Sequence, residues 1–132
     1  MSLTRESLRS LMLMACVAAV VALTTLPASI SLIRFAHDIT VIEGHPNAND
    51  ALGHAALYAA LTAAVYISLR RRIGFERAFW IALGSGLLLG ALTEFIQRFS
   101  PGRTMMLSDL LANWLGAMSV AMLISYTRPR RR

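Results

Sequence analysis

The stretch that decides the fold is residues 90–116, GALTEFIQRFSPGRTMMLSDLLANWLG, in which charged and amide side chains interrupt two otherwise apolar segments. An ionisable group inside a membrane-spanning helix costs roughly 2.5–3.5 kcal/mol, so such groups persist mainly where they face a bundle interior, a partner or a ligand. This stretch is therefore the first candidate for a functional site. Its polar members are Glu94, Gln97, Arg103, Asp109 and Asn113.

Composition indicates a membrane protein. Hydrophobic residues make up 56% of the 132 residues and the mean hydropathy is +0.57, which is more apolar than an ordinary soluble domain. All 13 basic residues are arginines, and they lie between apolar runs rather than along one basic stripe. Membrane topology explains this pattern better than nucleic-acid binding does, so no nucleic-acid partner is expected.

Four apolar runs predict four transmembrane helices, because about 20 helical residues cross the hydrocarbon core of a bilayer. The predicted spans are residues 11–33, 51–69, 78–97 and 105–126. They form one membrane domain, residues 11–126, between an N-terminal segment, residues 1–10, and a basic tail, residues 127–132.

The connections carry turn-forming residues. Residues 34–49 are polar and predict a loop, after which Asn49 or Asp50 is expected to cap the second helix. Residues 73–77 predict a short connection, and residues 98–104, which contain Ser-Pro-Gly, predict a tight helical hairpin.

The arginines predict the orientation, because cytoplasmic loops carry the basic excess. Ten of the 13 arginines lie in the N-terminal segment, in the connection between the second and third spans, and in the tail. The sequence therefore predicts an all-α, four-transmembrane-helix bundle in the cell (inner) membrane, with both termini cytoplasmic.

Polar residues of three spans then fall at similar depth near the outer side. Residues spaced three or four apart share one helical face, so each span presents its polar groups together. We expect these faces, closed by the loop that carries Arg103, to form an outward-facing polar pocket. The predicted set is Asp50, His54, Tyr58, Glu94, Gln97, Arg103, Asp109 and Asn113.

These residue types suit several kinds of chemistry. His54, Glu94 and Asp109 are candidate catalytic acid/base or positioning groups, and Arg103 has the planar fork that suits phosphate or carboxylate. The other four are candidate ligand contacts, although interhelical hydrogen bonding is a structural alternative for the buried amides and carboxylates. The spacing favours neither catalysis nor simple binding.

No metal centre and no particular cofactor are predicted. His37 and His45 lie in the outer loop near Asp50, but their spacing fits no recognisable metal motif. The single cysteine, Cys16, forms no Cys/His pair that suggests zinc.

The ordered polar residues resemble the VanZ-like family of small membrane proteins. The resemblance rests on Asp50-x3-His54-x3-Tyr58, Gly90-x3-Glu94-x2-Gln97 and Arg103-x5-Asp109-x3-Asn113-x2-Gly116. The family commonly has a lysine directly after the first aspartate, where this chain has Ala51. If that lysine contacts an anion, Arg103 would have to do so alone here.

The resemblance implies a role at the cell envelope. The family is named for a member associated with resistance to a glycopeptide antibiotic, and such antibiotics act on cell-wall precursors displayed at the outer leaflet. The leading hypothesis is that the pocket recognises or processes an anionic lipid-linked headgroup, such as a lipid-linked phosphate or cell-wall precursor. The alternatives are a non-catalytic protein that binds or transports lipid or antibiotic, and a structural partner of a membrane complex. An oligomer could supply a further wall of the pocket.

Overall fold

The computed structural model describes residues 5–25, 46–101 and 105–128, and this part of the chain is helical without any strand. The all-α prediction is confirmed for these residues. The four helices are α1 (Arg5–Thr25), α2 (Pro46–Ile73), α3 (Phe75–Gln97) and α4 (Leu107–Tyr126).

Three of these helices are long and apolar enough to cross a membrane, namely α2 from Asp50, α3 and α4. The prediction of four spans is thus supported for three. The predicted first span, residues 11–33, overlaps α1, whose apolar part Leu13–Ala22 is shorter than the roughly 20 residues that a crossing needs. The remainder of that predicted span, residues 26–33, lies outside the described residues.

Helix α2 begins at Pro46, within the predicted loop, so the prediction that Asn49 or Asp50 caps this helix is wrong. Proline favours the first turn of a helix, because its fixed φ suits the helix and the N–H that it lacks would have no intrahelical partner there. Pro46 therefore marks a helix start rather than a continuing loop.

A single residue, Gly74, separates α2 from α3, whereas the sequence predicted a connection over residues 73–77. Gly74 has φ 81° and ψ 170°, a backbone conformation that is open to glycine and strained for other residues. The chain reverses at this one position, and both helices run longer than the sequence predicted.

The interhelical contacts give the relative directions of the helices. Tyr58 of α2 contacts Thr93 of α3, and further along α2 Thr62 faces Gly86, so α2 and α3 are antiparallel. His54 meets Asn113 of α4, and Thr62 lies near the later Ala117, so α2 and α4 run in the same direction. The start of α2, the end of α3 and the start of α4 consequently share one end of the bundle.

Glycines allow these helices to approach closely. A Cβ added to Gly116 would overlap the backbone carbonyl oxygen of Ala55, and one added to Gly90 would lie 3.0 Å from the Asn113 Cβ. Gly86 is a further position of close packing, since a Cβ there would lie 2.8 Å from the Ala117 Cβ. Small residues at such contacts are typical of membrane helices.

The interior and exterior of the bundle differ as expected for a protein in lipid. α1 packs against α2 and α3, and Val20 joins a buried core that includes Tyr58, Leu61 and Tyr66. Large apolar side chains instead cover the outside of the spanning helices. Examples are Trp80, Leu88, Leu115 and Leu123.

The other end of the bundle is rich in arginine. The triplet Arg70, Arg71 and Arg72 lies in the last turn of α2. Glu76 at the start of α3 pairs with Arg128 just beyond α4, and both side chains are exposed. This ion pair lies at the end of the bundle opposite to His54, Glu94 and Asn113.

Candidate functional site

Four side chains from three helices meet in the interior of the bundle. We call this group the polar cluster, and its members are His54 of α2, Glu94 of α3, and Asp109 and Asn113 of α4. Their exposed fractions are 1%, 0%, 5% and 0%, respectively. Such burial of three ionisable groups is costly in lipid and is typical of functional positions.

Helix geometry explains why these side chains converge. Glu94 lies three residues before the end of α3, and Asp109 is the third residue of α4, so both carboxylates lie at the same end of the bundle. Asp109 and Asn113 are four residues apart and therefore share a face of α4. The close contact between Gly116 and Ala55 holds that face against α2.

Asn113 links the three helices. Its Nδ2 donates to the backbone oxygen of Gly90 and to Glu94 Oε1, each over 3.4 Å. Its Oδ1 lies 2.9 Å from His54 Nδ1. One amide thus contacts the histidine, the glutamate and the backbone of α3 at once.

These contacts assign the tautomer of His54. A carbonyl and a carboxylate can only accept hydrogen bonds, so the NH2 group of Asn113 must face Gly90 and Glu94, and its oxygen must face His54. His54 Nδ1 then carries the proton and donates it to Asn113. In the neutral ring, Nε2 holds a lone pair, and this buried atom has no hydrogen-bond partner among the described residues.

Both carboxylates lie close to the imidazole. His54 Nδ1 is 3.8 Å from Glu94 Oε1, and His54 Nε2 is 3.9 Å from Asp109 Oδ2. Neither distance is a hydrogen bond, but both allow strong electrostatic interaction in a water-poor interior. The histidine therefore lies between two acids that approach its two ring nitrogens.

Asp109 is the acid closest to a helix end. It lies in the first turn of α4, where the helix dipole stabilises a negative charge. The N-cap residue of α4 is Met106, and Asp109 lies inside the helix. The Ser108 hydroxyl donates to Asp109 Oδ1 over 3.2 Å, which leaves Oδ2 facing His54.

A second hydrogen-bonded layer lies one helical turn further along α2. The Tyr58 hydroxyl donates to the Leu89 carbonyl oxygen over 3.3 Å and also contacts the Thr93 hydroxyl. Both side chains are buried. They close the polar cluster on the side of the membrane interior.

The remaining residues predicted for the site are not members of the polar cluster. Gln97 is buried at the last position of α3. Asp50 is half-buried near the start of α2, and the structure gives it no hydrogen bond to another described residue. Arg103, His37 and His45 lie outside the described residues.

Sequence reasoning missed several residues that shape the site. Thr93 was absent from the predicted set, although its place one residue before Glu94 put a polar side chain in an apolar run. The contact of Ala55 with Gly116 had no sequence signal on the α2 side. Trp114, which is also absent from the predicted set, donates its indole N–H to the Leu87 carbonyl oxygen over 3.1 Å.

The polar cluster has the groups for two kinds of chemistry. A histidine between two carboxylates can move a proton or hold a charged ligand. In addition, one donor atom each from His54, Glu94 and Asp109 lies within 4.8 Å of the others, a spacing close to that of ligands around a metal ion. Both uses draw on side chains that come from three different helices.

Comparison with known proteins agrees with the resemblance seen in the polar residues. No curated protein and no solved structure matches the chain. The VanZ/LLP1 family model, in contrast, matches residues 5–128, which includes every described helix and the whole polar cluster. The chain therefore belongs to the VanZ/LLP1 family.

Proposed function

We propose that this membrane protein recognises the anionic headgroup of a lipid-linked envelope molecule, such as a lipid-linked phosphate, at the polar cluster. The observation that carries the proposal is the burial of three ionisable side chains, His54, Glu94 and Asp109, at one end of three helices that are apolar enough to span a membrane. Internal helix packing alone does not require charged groups, because amides and hydroxyls supply interhelical hydrogen bonds at lower cost.

The proposal includes an orientation in the inner membrane. Arg70, Arg71, Arg72 and Arg128 lie at the end of the bundle opposite the polar cluster, and the positive-inside rule assigns that end to the cytoplasm. The proposal also takes residues 11–33, which include most of α1, as a fourth membrane crossing. Both termini are then cytoplasmic. The polar cluster faces the outer leaflet.

The depth of the polar cluster suits a lipid headgroup. Glu94 lies three residues from the end of α3, which is about 4.5 Å along the helix axis. Asp109 is also within one turn of its helix end. A headgroup at the outer interface could reach these groups while its acyl or prenyl chain stays beside the exposed apolar side chains.

Each residue has a defined part in this proposal. Arg103, in the connection between α3 and α4, contacts the anion. His54, Glu94 and Asp109 position the headgroup or exchange protons with it. Asn113 fixes the His54 ring, and Asp50, Tyr58 and Gln97 line the surroundings.

The test is equilibrium binding to the purified protein in detergent, with a polyprenyl phosphate and the corresponding polyprenol as paired probes. We expect the phosphate to bind at least ten times more tightly than the alcohol. Arg103→Ala, which removes the proposed anion contact, should lower the affinity for the phosphate, while Glu76→Gln, which removes a carboxylate from the other end of the bundle, should not. Equal binding of phosphate and alcohol would refute the proposal.

The same samples separate the alternatives. Release of inorganic phosphate that disappears in His54→Ala and Glu94→Gln would identify an enzyme. Binding without release would identify a recognition or transport protein. If the variants change only the amount of folded protein in the membrane, the polar cluster is structural and the proposed function is wrong.

A further inference from the structure

We propose that His54, Glu94 and Asp109 together bind one divalent transition-metal ion, held between α2, α3 and α4. The inference deepens the proposed function and rests on its assignment of the polar cluster as the binding site. The binding of the ion itself can be measured without any lipid, so either proposal can fail alone.

The first support is the spacing of donor atoms. One nitrogen and two carboxylate oxygens lie within 4.8 Å of one another. Ligands that surround one zinc ion at about 2.0–2.2 Å lie roughly 3.0–3.5 Å apart. Small side-chain movements would complete such a site at Nε2, with the Glu94 carboxylate, whose Oε1 lies 3.8 Å from Nδ1, turning towards Asp109.

The second support is the unpartnered nitrogen of His54. Asn113 fixes the proton on Nδ1, which leaves the lone pair of Nε2 facing Asp109 Oδ2 at 3.9 Å. Two electron-rich atoms thus lie close together in the interior, and Nε2 has no hydrogen-bond partner among the described residues. A buried lone pair without a partner is costly, and a cation between the two atoms removes that cost.

The hydrogen bond from His54 Nδ1 to Asn113 is of the kind that orients a metal-binding histidine. Histidines that bind a metal through one ring nitrogen usually donate the other N–H to a carbonyl or carboxylate, which fixes the ring and its tautomer. Asn113 provides this oxygen at 2.9 Å. It also donates to Glu94 Oε1, so one amide orients two of the three ligands.

Charge favours a divalent ion. Glu94 and Asp109 place two carboxylates in a buried site beside one imidazole. A divalent cation balances the charges of two carboxylates. It would also explain how a site with two carboxylates attracts a phosphate, because three protein ligands leave a coordination position open.

The donor set narrows the choice of metal. One imidazole with two carboxylates suits zinc or manganese, whereas magnesium and calcium prefer oxygen ligands only. The ligands come from helices that are separated along the chain, which is why no spacing motif predicted a metal centre.

The test is the metal content and metal affinity of the purified full-length protein in detergent. We expect about one zinc or manganese ion per wild-type chain after dialysis, in line with a single three-ligand site. The Glu94→Gln and Asp109→Asn variants should lose the ion. Glu76→Gln, which removes the same charge from the same helix as Glu94→Gln, should keep it.

Asn113→Ala tests the supporting hydrogen bond. It should weaken the affinity for zinc roughly 10–100-fold, the usual effect of removing a partner of a metal-bound histidine. Circular dichroism and gel filtration of each variant show whether it is folded.

X-ray absorption of the zinc-loaded wild type keeps the proposal testable even if a variant does not fold. One nitrogen and two or more oxygen ligands at about 2.0–2.2 Å are expected. A sulfur ligand, which only Cys16 or a methionine could supply, would overturn the assignment. A folded wild-type protein that binds neither zinc nor manganese would also overturn the assignment.

Discussion

Replacing Gly116 by alanine should separate α4 from α2 at the level of the polar cluster. The added Cβ would overlap the backbone carbonyl oxygen of Ala55. A backbone atom within a helix cannot rotate away as the end of a flexible side chain can, so the two helices must move apart. Asn113 lies one turn before Gly116 on the same helix, and its hydrogen bond to His54 should lengthen.

The magnitude follows from two opposing effects. Overpacking a close contact costs about 1–3 kcal/mol, while alanine stabilises a helix by about 1 kcal/mol relative to glycine. Gly84→Ala provides the matched control, because an added Cβ there would meet nothing within 4 Å. Both variants gain the same helix propensity, so the difference between their free energies of unfolding isolates the contact and should be about 1–3 kcal/mol.

The assay is reversible unfolding in mixed micelles, in which a denaturing detergent replaces a mild one and helix content is followed by circular dichroism. Gly84→Ala should unfold at the same fraction of denaturing detergent as the wild type or at a higher one, and Gly116→Ala at a lower one. If the two variants were equally stable, the close approach of α4 to α2 would be wrong.

Three further predictions follow from particular contacts. Thr93→Val removes the hydroxyl that contacts Tyr58 and should lower the free energy of unfolding by about 0.5–1.5 kcal/mol in the same assay, whereas an unchanged value would show that this layer adds no stability. Glu76→Gln breaks an ion pair whose two side chains are 47% and 59% exposed, so it should cost less than about 1 kcal/mol, and a larger loss would mean that the pair is shielded from solvent. A reporter fused after Arg132 should be active only as a cytoplasmic fusion, and activity of a periplasmic reporter at that position would reverse the proposed orientation.

The apolar runs were sufficient to predict helices and their approximate positions. Hydrophobic length is a strong signal, and the structure has helices where the second, third and fourth runs lie. The boundaries were less predictable. In the sequence, Pro46 and Gly74 indicate longer connections than the structure has, because proline also favours a first helical turn and one glycine at positive φ is enough to reverse the chain.

The polar residues within α2, α3 and α4 could be placed on helix faces from their spacing. Which of them would touch could not be predicted, because contact depends on the rotation and separation of the helices. The Gly116 contact with Ala55 sets that separation. It allows Asn113 to reach both His54 and Glu94, while Tyr58, on the same face of α2 as His54, bonds to a different layer of α3.

The proximity of His54, Glu94 and Asp109 also could not be predicted from the sequence. Metal motifs are recognised when ligands are close in sequence, as on one helix or in one loop. His54, Glu94 and Asp109 lie on three helices, so their mutual distances become apparent only when the packing is known.

Native mass spectrometry tests most directly whether the polar end of the bundle binds an anionic lipid headgroup. The protein is released from micelles that contain equal amounts of a polyprenyl phosphate and the polyprenol, and the bound mass is read from the spectrum. We predict that the wild type and Glu76→Gln carry the phosphate and not the alcohol, and that Arg103→Ala carries neither. Binding of the alcohol as well as the phosphate by the wild type, or retention of the phosphate by Arg103→Ala at the wild-type level, would contradict the proposed headgroup binding.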